Sequence, residues 1–215
     1  MRRTAKMSAI ALLCVSIVSL FTALWNIHSD SREYSVAREQ YRTLREIALP
    51  DIRHENVQEQ NSEVEQEQGI DFDALLAINS DVISWIEVYG SDISYPIVQT
   101  NENSKYLNYT FTDERNRSGS IFLDHRDASD FLALARVYGH NMRDGSMLGT
   151  LSDWQGDTII VHTFDAQLEF AVIERSIILE SQVQRLADEF DGLALITCVS
   201  GRRSFRYVVL AETVK

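Results

Sequence analysis

Cys198 closes the apolar run Leu193-Ala194-Leu195-Ile196-Thr197-Cys198, and Arg206 opens the next, Arg206-Tyr207-Val208-Val209-Leu210-Ala211. His140 ends a third run, Ala135-Arg136-Val137-Tyr138-Gly139-His140. Read as strands, these runs set a thiol, a guanidinium and an imidazole at strand ends, where a rigid sheet holds reacting groups while loops admit a substrate. Residues Val199 to Phe205 separate the cysteine from the arginine, with Gly201 where a loop must turn. In an antiparallel hairpin, Cys198 and Arg206 would face each other across strands about 4.8 Å apart. A cation at that range favours the thiolate. Its fork of donors also suits a substrate carbonyl or the oxyanion of a tetrahedral intermediate. The chemistry implied is acyl transfer through a thioester. Blander readings stand beside it: a lone cysteine is often a small buried hydrophobe, and an arginine at a strand start often only meets solvent.

A cysteine nucleophile needs a partner that takes its proton and later protonates a leaving amine, and histidine is the usual choice. Of five histidines, His28 and His54 precede the globular part, and His125 sits in the polar run Asp124-His125-Arg126-Asp127. His162 follows the apolar run Thr158 to Val161 and remains an alternative as a strand-end or core residue. His140 is favoured because Gly139 and Asn141 flank it at a sharp strand-to-loop transition. No Cys/His cluster has metal-ligand spacing, so no metal is expected. There is no P-loop, no G-x-G-x-x-G and no G-x-S-x-G elbow, so neither a nucleotide cofactor nor a serine nucleophile is called for.

The 215-residue chain has a formal net charge of −12. Nucleic-acid binding needs clustered Lys and Arg that release counterions, and the globular part has no such stripe. Its two cysteines are Cys14 and Cys198. Cys14 lies within an apolar run, so the globular part has one thiol and no internal disulfide.

Residues 1–6 read as a cytoplasmic tail and 7–27 as a transmembrane anchor. Met7 to Ile27 carries no charge, and at about 1.5 Å per residue it spans roughly 30 Å, the thickness of a bilayer core. Arg2, Arg3 and Lys6 precede it, which keeps the N-terminus inside and the remainder outside. A cleaved signal peptide is the competing reading, but no A-x-A site follows. Residues 28–69 read as an extracellular helix and acidic linker. Tyr34, Ala37, Tyr41, Leu44 and Ala48 recur at helical spacing before Pro50, on a solvated stalk or a helix packed behind the domain. Asp51 to Gln68 is too polar to bury a core.

Residues 70–215 form the main domain. Asp71 to Ile78 reads as a short helix and Ser104 to Asn108 as a helical turn. Strands are expected at Val82–Val88, Ser94–Gln99, Gly119–Leu123, Ala133–Tyr138, Thr158–Val161, Glu169–Ile173, Ala194–Cys198 and Tyr207–Ala211. Eight short strands with few helices point to a mostly β barrel or sandwich. Ser181 to Phe190 is the one later helix candidate.

The segment Val137-Tyr138-Gly139-His140-Asn141-Met142-Arg143-Asp144-Gly145-Ser146-Met147-Leu148-Gly149 resembles the histidine loop of class B sortases. Leu195-Ile196-Thr197-Cys198 followed by Arg206 is similar to the sortase T-L-x-T-C signature with its downstream arginine. Ile83-Ser84-Trp85-Ile86, Tyr95-Pro96-Ile97-Val98-Gln99, Tyr106-Leu107-Asn108 and Ser118 to Asp124 resemble further stretches of that class, in order along 71–214. The resemblance implies an eight-stranded sortase-type β-barrel and a cysteine transpeptidase, without cofactor, on the outer face of a Gram-positive cell membrane. Such an enzyme cuts a C-terminal sorting motif of secreted proteins, holds the acyl part as a thioester, and passes it to a cell-wall precursor amine or a pilin lysine. By position, the resemblance makes Cys198 the nucleophile, His140 the general acid/base and Arg206 the oxyanion or substrate-positioning residue. It sets Asn103 and Leu107 in the motif groove and Thr197 beside the nucleophile. One departure stands out: Ile173 to Leu193 leaves room for only a short helix where the class carries a long one. Two further readings are an anchored, non-catalytic binding module and a protease that releases its acyl product to water.

Overall fold

The computed structural model describes residues 2–49 and 69–214, without the side chains of 2–14, 23–24, 26–31 and 188–189. The expected linker Asp51 to Gln68 lies outside the described residues. The chain divides into two compact units, Met1–Val36 and Ala37–Lys215. The first is helical throughout its described length, within helix α1 (Arg2–Ala48). The expected anchor and the amphipathic stretch after it are thus one element rather than two. Among the described residues, no helix is long and apolar enough to cross a membrane; most side chains of the apolar run 7–27 fall outside them.

The second unit is a closed barrel in the order β1-β2-β3-β4-β7-β8-β6-β5. Its strands are β1 (Val82–Val88), β2 (Ser94–Val98), β3 (Ile121–Leu123), β4 (Ala135–Tyr138), β5 (Thr158–His162), β6 (Gln167–Leu179), β7 (Leu193–Val199) and β8 (Arg202–Thr213). Closure pairs every strand on both sides and leaves no open edge. Two neighbouring pairs are parallel, β2 with β3 and β4 with β7. Trp85, Ile97, Ile121, Leu123, Val137, Phe170 and Leu195 are buried in this unit. Helix α2 (Phe72–Ile78) starts where sequence predicts, because the Asp71 side chain accepts from the Ala74 N–H at 2.9 Å.

The amphipathic face of α1 resolves the stalk alternative within this unit. Ala37, Tyr41, Leu44 and Ala48 are all buried. The Tyr41 hydroxyl donates to the Gly119 carbonyl at 2.7 Å, and its ring meets Tyr95 edge-on at 5.2 Å. Arg45 lies over the Tyr95 ring, and Arg38 pairs with Asp144 at 3.3 Å. The compact unit around the barrel therefore takes in the helix from Ala37, ahead of residue 70.

Three elements differ from the pattern read in sequence. Strand β6 runs on to Leu179, past Ile173, because a register shift between Val172 and Glu174 breaks the alternation there and pairing then resumes with β8. The helix expected over Ser181 to Phe190 is two single turns, α3 (Glu180–Val183) and α4 (Leu186–Glu189). Strand β8 begins at Arg202, so the turn after β7 is tight, with Gly201 at φ +75°.

Candidate active site

Alternation along three neighbouring strands sets the site. On β7, Ala194 and Ile196 face the same way as Cys198, and on β8, Leu210 and Val208 face the same way as Arg206. Ala194, Ile196, Val208 and Leu210 form one buried apolar cluster with Leu134 and Val183, against which Tyr138 and Ile178 pack. The reacting groups stand one pleat beyond this floor, and the β6–β7 connection (residues 180–192) covers it through Val183, Leu186 and Phe190.

Register then brings the groups together. Cys198 and Arg206 are directly paired in the antiparallel β7–β8 ladder. In the parallel β4–β7 ladder, Ala135 faces Leu193 and Tyr138 faces Ile196. The same offset, carried two residues further, brings His140 opposite Cys198. Two hydrogen bonds maintain the pairing beyond the ladder: Thr197 Oγ1 donates to the Gly139 carbonyl at 2.8 Å, and Asn141 Nδ2 donates to the Cys198 carbonyl at 2.8 Å. The loop after His140 is closed by a bridge between Asn141 and Met147, whose N–H donates to the Tyr95 hydroxyl at 3.0 Å.

All six residues named from sequence line one open cleft of about 290 Å³: Asn103, Leu107, His140, Thr197, Cys198 and Arg206. Cys198 is exposed, which sets aside the buried-hydrophobe reading. His140 Nε2 lies 2.8 Å from the Leu107 carbonyl. A carbonyl only accepts, so Nε2 carries the proton and Nδ1 holds the free lone pair of the neutral ring. The Arg206 Nη1 donates to the carbonyls of Arg203 (2.8 Å) and Phe205 (3.0 Å), and Nη2 pairs with Glu180 at 2.7 Å. Thr197 is buried with its hydroxyl on Gly139, so it borders Cys198 through the backbone. The alternative histidine, His162, is absent from the cleft and pairs with Glu87 at 3.1 Å.

One wall carries a polar network. The fully buried Asp124 accepts from Arg126 Nε (2.8 Å) and Nη2 (2.7 Å), Asn103 Nδ2 (3.2 Å) and the Tyr138 hydroxyl (3.3 Å). Burial alone would raise its pKa, but these donors and Arg136 outweigh it and hold the carboxyl well below the usual carboxylate range. Burial, followed by the Asp124 charge, pushes the Tyr138 phenol up. The Asn103 carboxamide is thereby fixed, its oxygen accepting from the His125 N–H at 2.9 Å. Sequence reading did not single out Asp124, Tyr138 or Glu180 as site residues. Alternation placed Tyr138 beside His140, whereas Glu180 carries no local signal. Among the described residues, no group of His, Cys, Asp and Glu could hold a metal ion.

A thiol, an imidazole and a guanidinium converge at strand ends of an eight-stranded barrel, an arrangement whose groups suit a cysteine nucleophile with a proton carrier and an oxyanion partner. A sequence profile of the sortase domain matches residues 86–214. The chain belongs to the sortase family. It is 38% identical over 90 residues to sortase B of Listeria monocytogenes, covering 41% of this chain and 37% of that protein. It is likewise 38% identical over 84 residues to sortase B of Staphylococcus aureus, covering 39% of this chain and 34% of that one. The aligned part thus spans little more than a third of each relative. The fold matches a Staphylococcus aureus sortase B–substrate complex with a TM-score of 0.66 at 24% identity, over 86% of this chain and 99% of that chain.

Proposed function

We propose that this protein is a membrane-anchored, class B sortase-type cysteine transpeptidase. The Cys198 thiolate attacks the scissile carbonyl of a C-terminal sorting motif in a secreted protein, and a tetrahedral oxyanion forms within reach of the Arg206 guanidinium. His140 protonates the departing amine, leaving the acyl group as a thioester on Cys198. An amine of the cell-wall precursor or a pilin then attacks, His140 takes its proton, and the thiolate is released. The observation that carries this reading is the meeting of Cys198, His140 and Arg206 from three adjacent strands in one cleft.

The anchor is supported by the uncharged run Met7 to Ile27 and the basic residues before it. It is also supported by the exposure of Val15, Ile17, Val18, Leu20, Phe21 and Trp25, each by more than half. A lone helix apolar on several faces needs lipid or protein around it. The transferase is single-pass in this reading, its barrel on the outer face of the cell membrane.

The test is a transfer assay with a library of sorting-motif peptides and an added amine. The wild-type chain is expected to yield the amide-linked product, and Cys198→Ala to yield none while keeping its melting temperature. Arg206→Lys should lose most of the rate, since an ammonium does not replace a planar fork. Ligated product from Cys198→Ala would refute the proposal, and acid product alone, with amine present, would replace transfer by hydrolysis.

A further inference from the structure

Arg206 lies between two strands that present groups to the same face. On one side β7 offers Cys198, and on the other Ile178 of β6 stands opposite Arg206 in the ladder. Glu180 continues that face two residues on, as the first residue of α3, and its Oε1 lies 2.7 Å from Arg206 Nη2. The connection that carries Glu180 is tied down nearby. Gln182 Oε1 accepts from the Leu179 N–H at 2.8 Å, and Gln184 Oε1 accepts from Arg136 Nη1 at 3.2 Å.

A guanidinium has five N–H donors. Both on Nη1 are taken by the Arg203 and Phe205 carbonyls, which suffice to orient the group. Glu180 forms an ion pair with Nη2 and sets a carboxylate beside the positive charge that Cys198 faces. Glu180 is 63% exposed against 17% for Arg206, so the pair is held weakly and water or a ligand can part it. The titratable and charged groups that the cleft presents are Asp124, Tyr138, His140, Glu180, Cys198 and Arg206. Asp124 is held by Arg126 and Arg136; Glu180 is the acid engaged with Arg206.

We infer that Glu180 is a positioning residue that restrains Arg206 in the unoccupied cleft. Its carboxylate sets a negative charge against the guanidinium that Cys198 faces, and an acyl oxyanion must compete with it for Nη2. Substrate entry displaces it, so the guanidinium acts at full strength only when an acyl group is present. This rests on the transpeptidase reading for its purpose, though the ion pair acts on the thiol with or without a peptide.

The test measures alkylation of Cys198 by iodoacetamide across pH 5–9 in the full chain, read by mass on the Cys198 peptide because Cys14 is also present. Glu180→Gln keeps the size and removes the charge. It is expected to raise the alkylation rate at neutral pH about two- to fivefold, the size of an exposed ion pair. In an Arg206→Gln background the same change is expected to have a much smaller effect, because Glu180, 63% exposed and without its partner, turns to solvent where its charge is screened. An unchanged or slower rate in Glu180→Gln would overturn the inference, as would equal acceleration in both backgrounds. The assay uses no peptide. A chain that fails to transfer acyl groups but shows this pattern would lose the function proposed above and keep this one.

Discussion

Gly139 couples the core to the cleft within a single residue. It precedes His140, its carbonyl accepts from Thr197, and a Cβ built on it would come within 2.4 Å of Ile121 Cδ1 and 2.7 Å of Leu148 Cγ. Ile121 and Leu148 are both fully buried, so space for even a methyl group must come from β3 or from the loop that follows His140. Gly139→Ala is expected to cost about 1–3 kcal/mol through overpacking and to displace the imidazole from the Leu107 carbonyl. In the transfer assay kcat should fall further than KM rises, as the acid/base role proposed for His140 requires. A variant with normal kcat and an unchanged urea midpoint would contradict this account. The pairing of Cys198 with Arg206 was legible at this scale because a hairpin fixes register locally. His140 is preferred to His162 from its flanking Gly139 and Asn141 and from the motif resemblance, since a parallel ladder joining β4 to β7 leaves no local spacing to read.

At the scale of elements, the last turns of α1 bind to the parts of the barrel that flank His140. Tyr41 reaches Gly119 just before β3, and Ser120 donates its N–H to Tyr106 at 2.9 Å, next to Leu107. Tyr41→Ala should destabilise the unit by about 3–5 kcal/mol, as for other large aromatic deletions. Tyr41→Phe should cost about 1 kcal/mol for the lost hydroxyl, both measured by urea denaturation. Near-wild-type midpoints for both variants would show that the helix is a passenger. The helical spacing of Ala37, Tyr41, Leu44 and Ala48 was plain in sequence, but whether the stripe met a partner was a tertiary fact. Strand β6 was cut short for the opposite reason: the bulge at Val172 to Glu174 hides a continuing ladder behind a broken period. The helix over Ser181 to Phe190 is two single turns, although Val183, Leu186 and Phe190 recur at helical spacing and all meet one cluster.

Over the whole molecule, the acid side of the pH range should govern stability. The carboxyl groups of Asp124, Glu87 and Asp81 are held below their ordinary values. In Glu87 the His162 hydrogen bond dominates; in Asp81 burial opposes the bonds from Tyr106 and Lys105, which together prevail. A carboxylate with a depressed folded pKa contributes stability that is complete above its unfolded value of about 4 and is lost as pH falls through the folded value. The melting temperature should therefore hold from pH 7 to about 5 and fall below 4, with Asp124→Asn lower at neutral pH and flatter in acid. A melting temperature constant down to pH 2 would show that these networks do not differ between folded and unfolded chains. The eight strands and the location of the cleft at their ends were readable from alternation and from the order of the motifs. Barrel closure was left open against a sandwich by the strand pattern and came from the family resemblance. The full polar wall around Asp124 and the grip of Glu180 on Arg206 were not readable, because they join residues distant in sequence.

The parallel pairing of β4 with β7 also governs timing. Between those two strands the chain must lay down β5, β6 and the 180–192 connection, so the imidazole and the sulfur meet only after those elements are placed. Loop-closure entropy makes such contacts late in folding. A nascent or half-assembled chain therefore lacks the pairing of Cys198 with His140 and Arg206, and the cleft is complete only once β7 and β8 have docked.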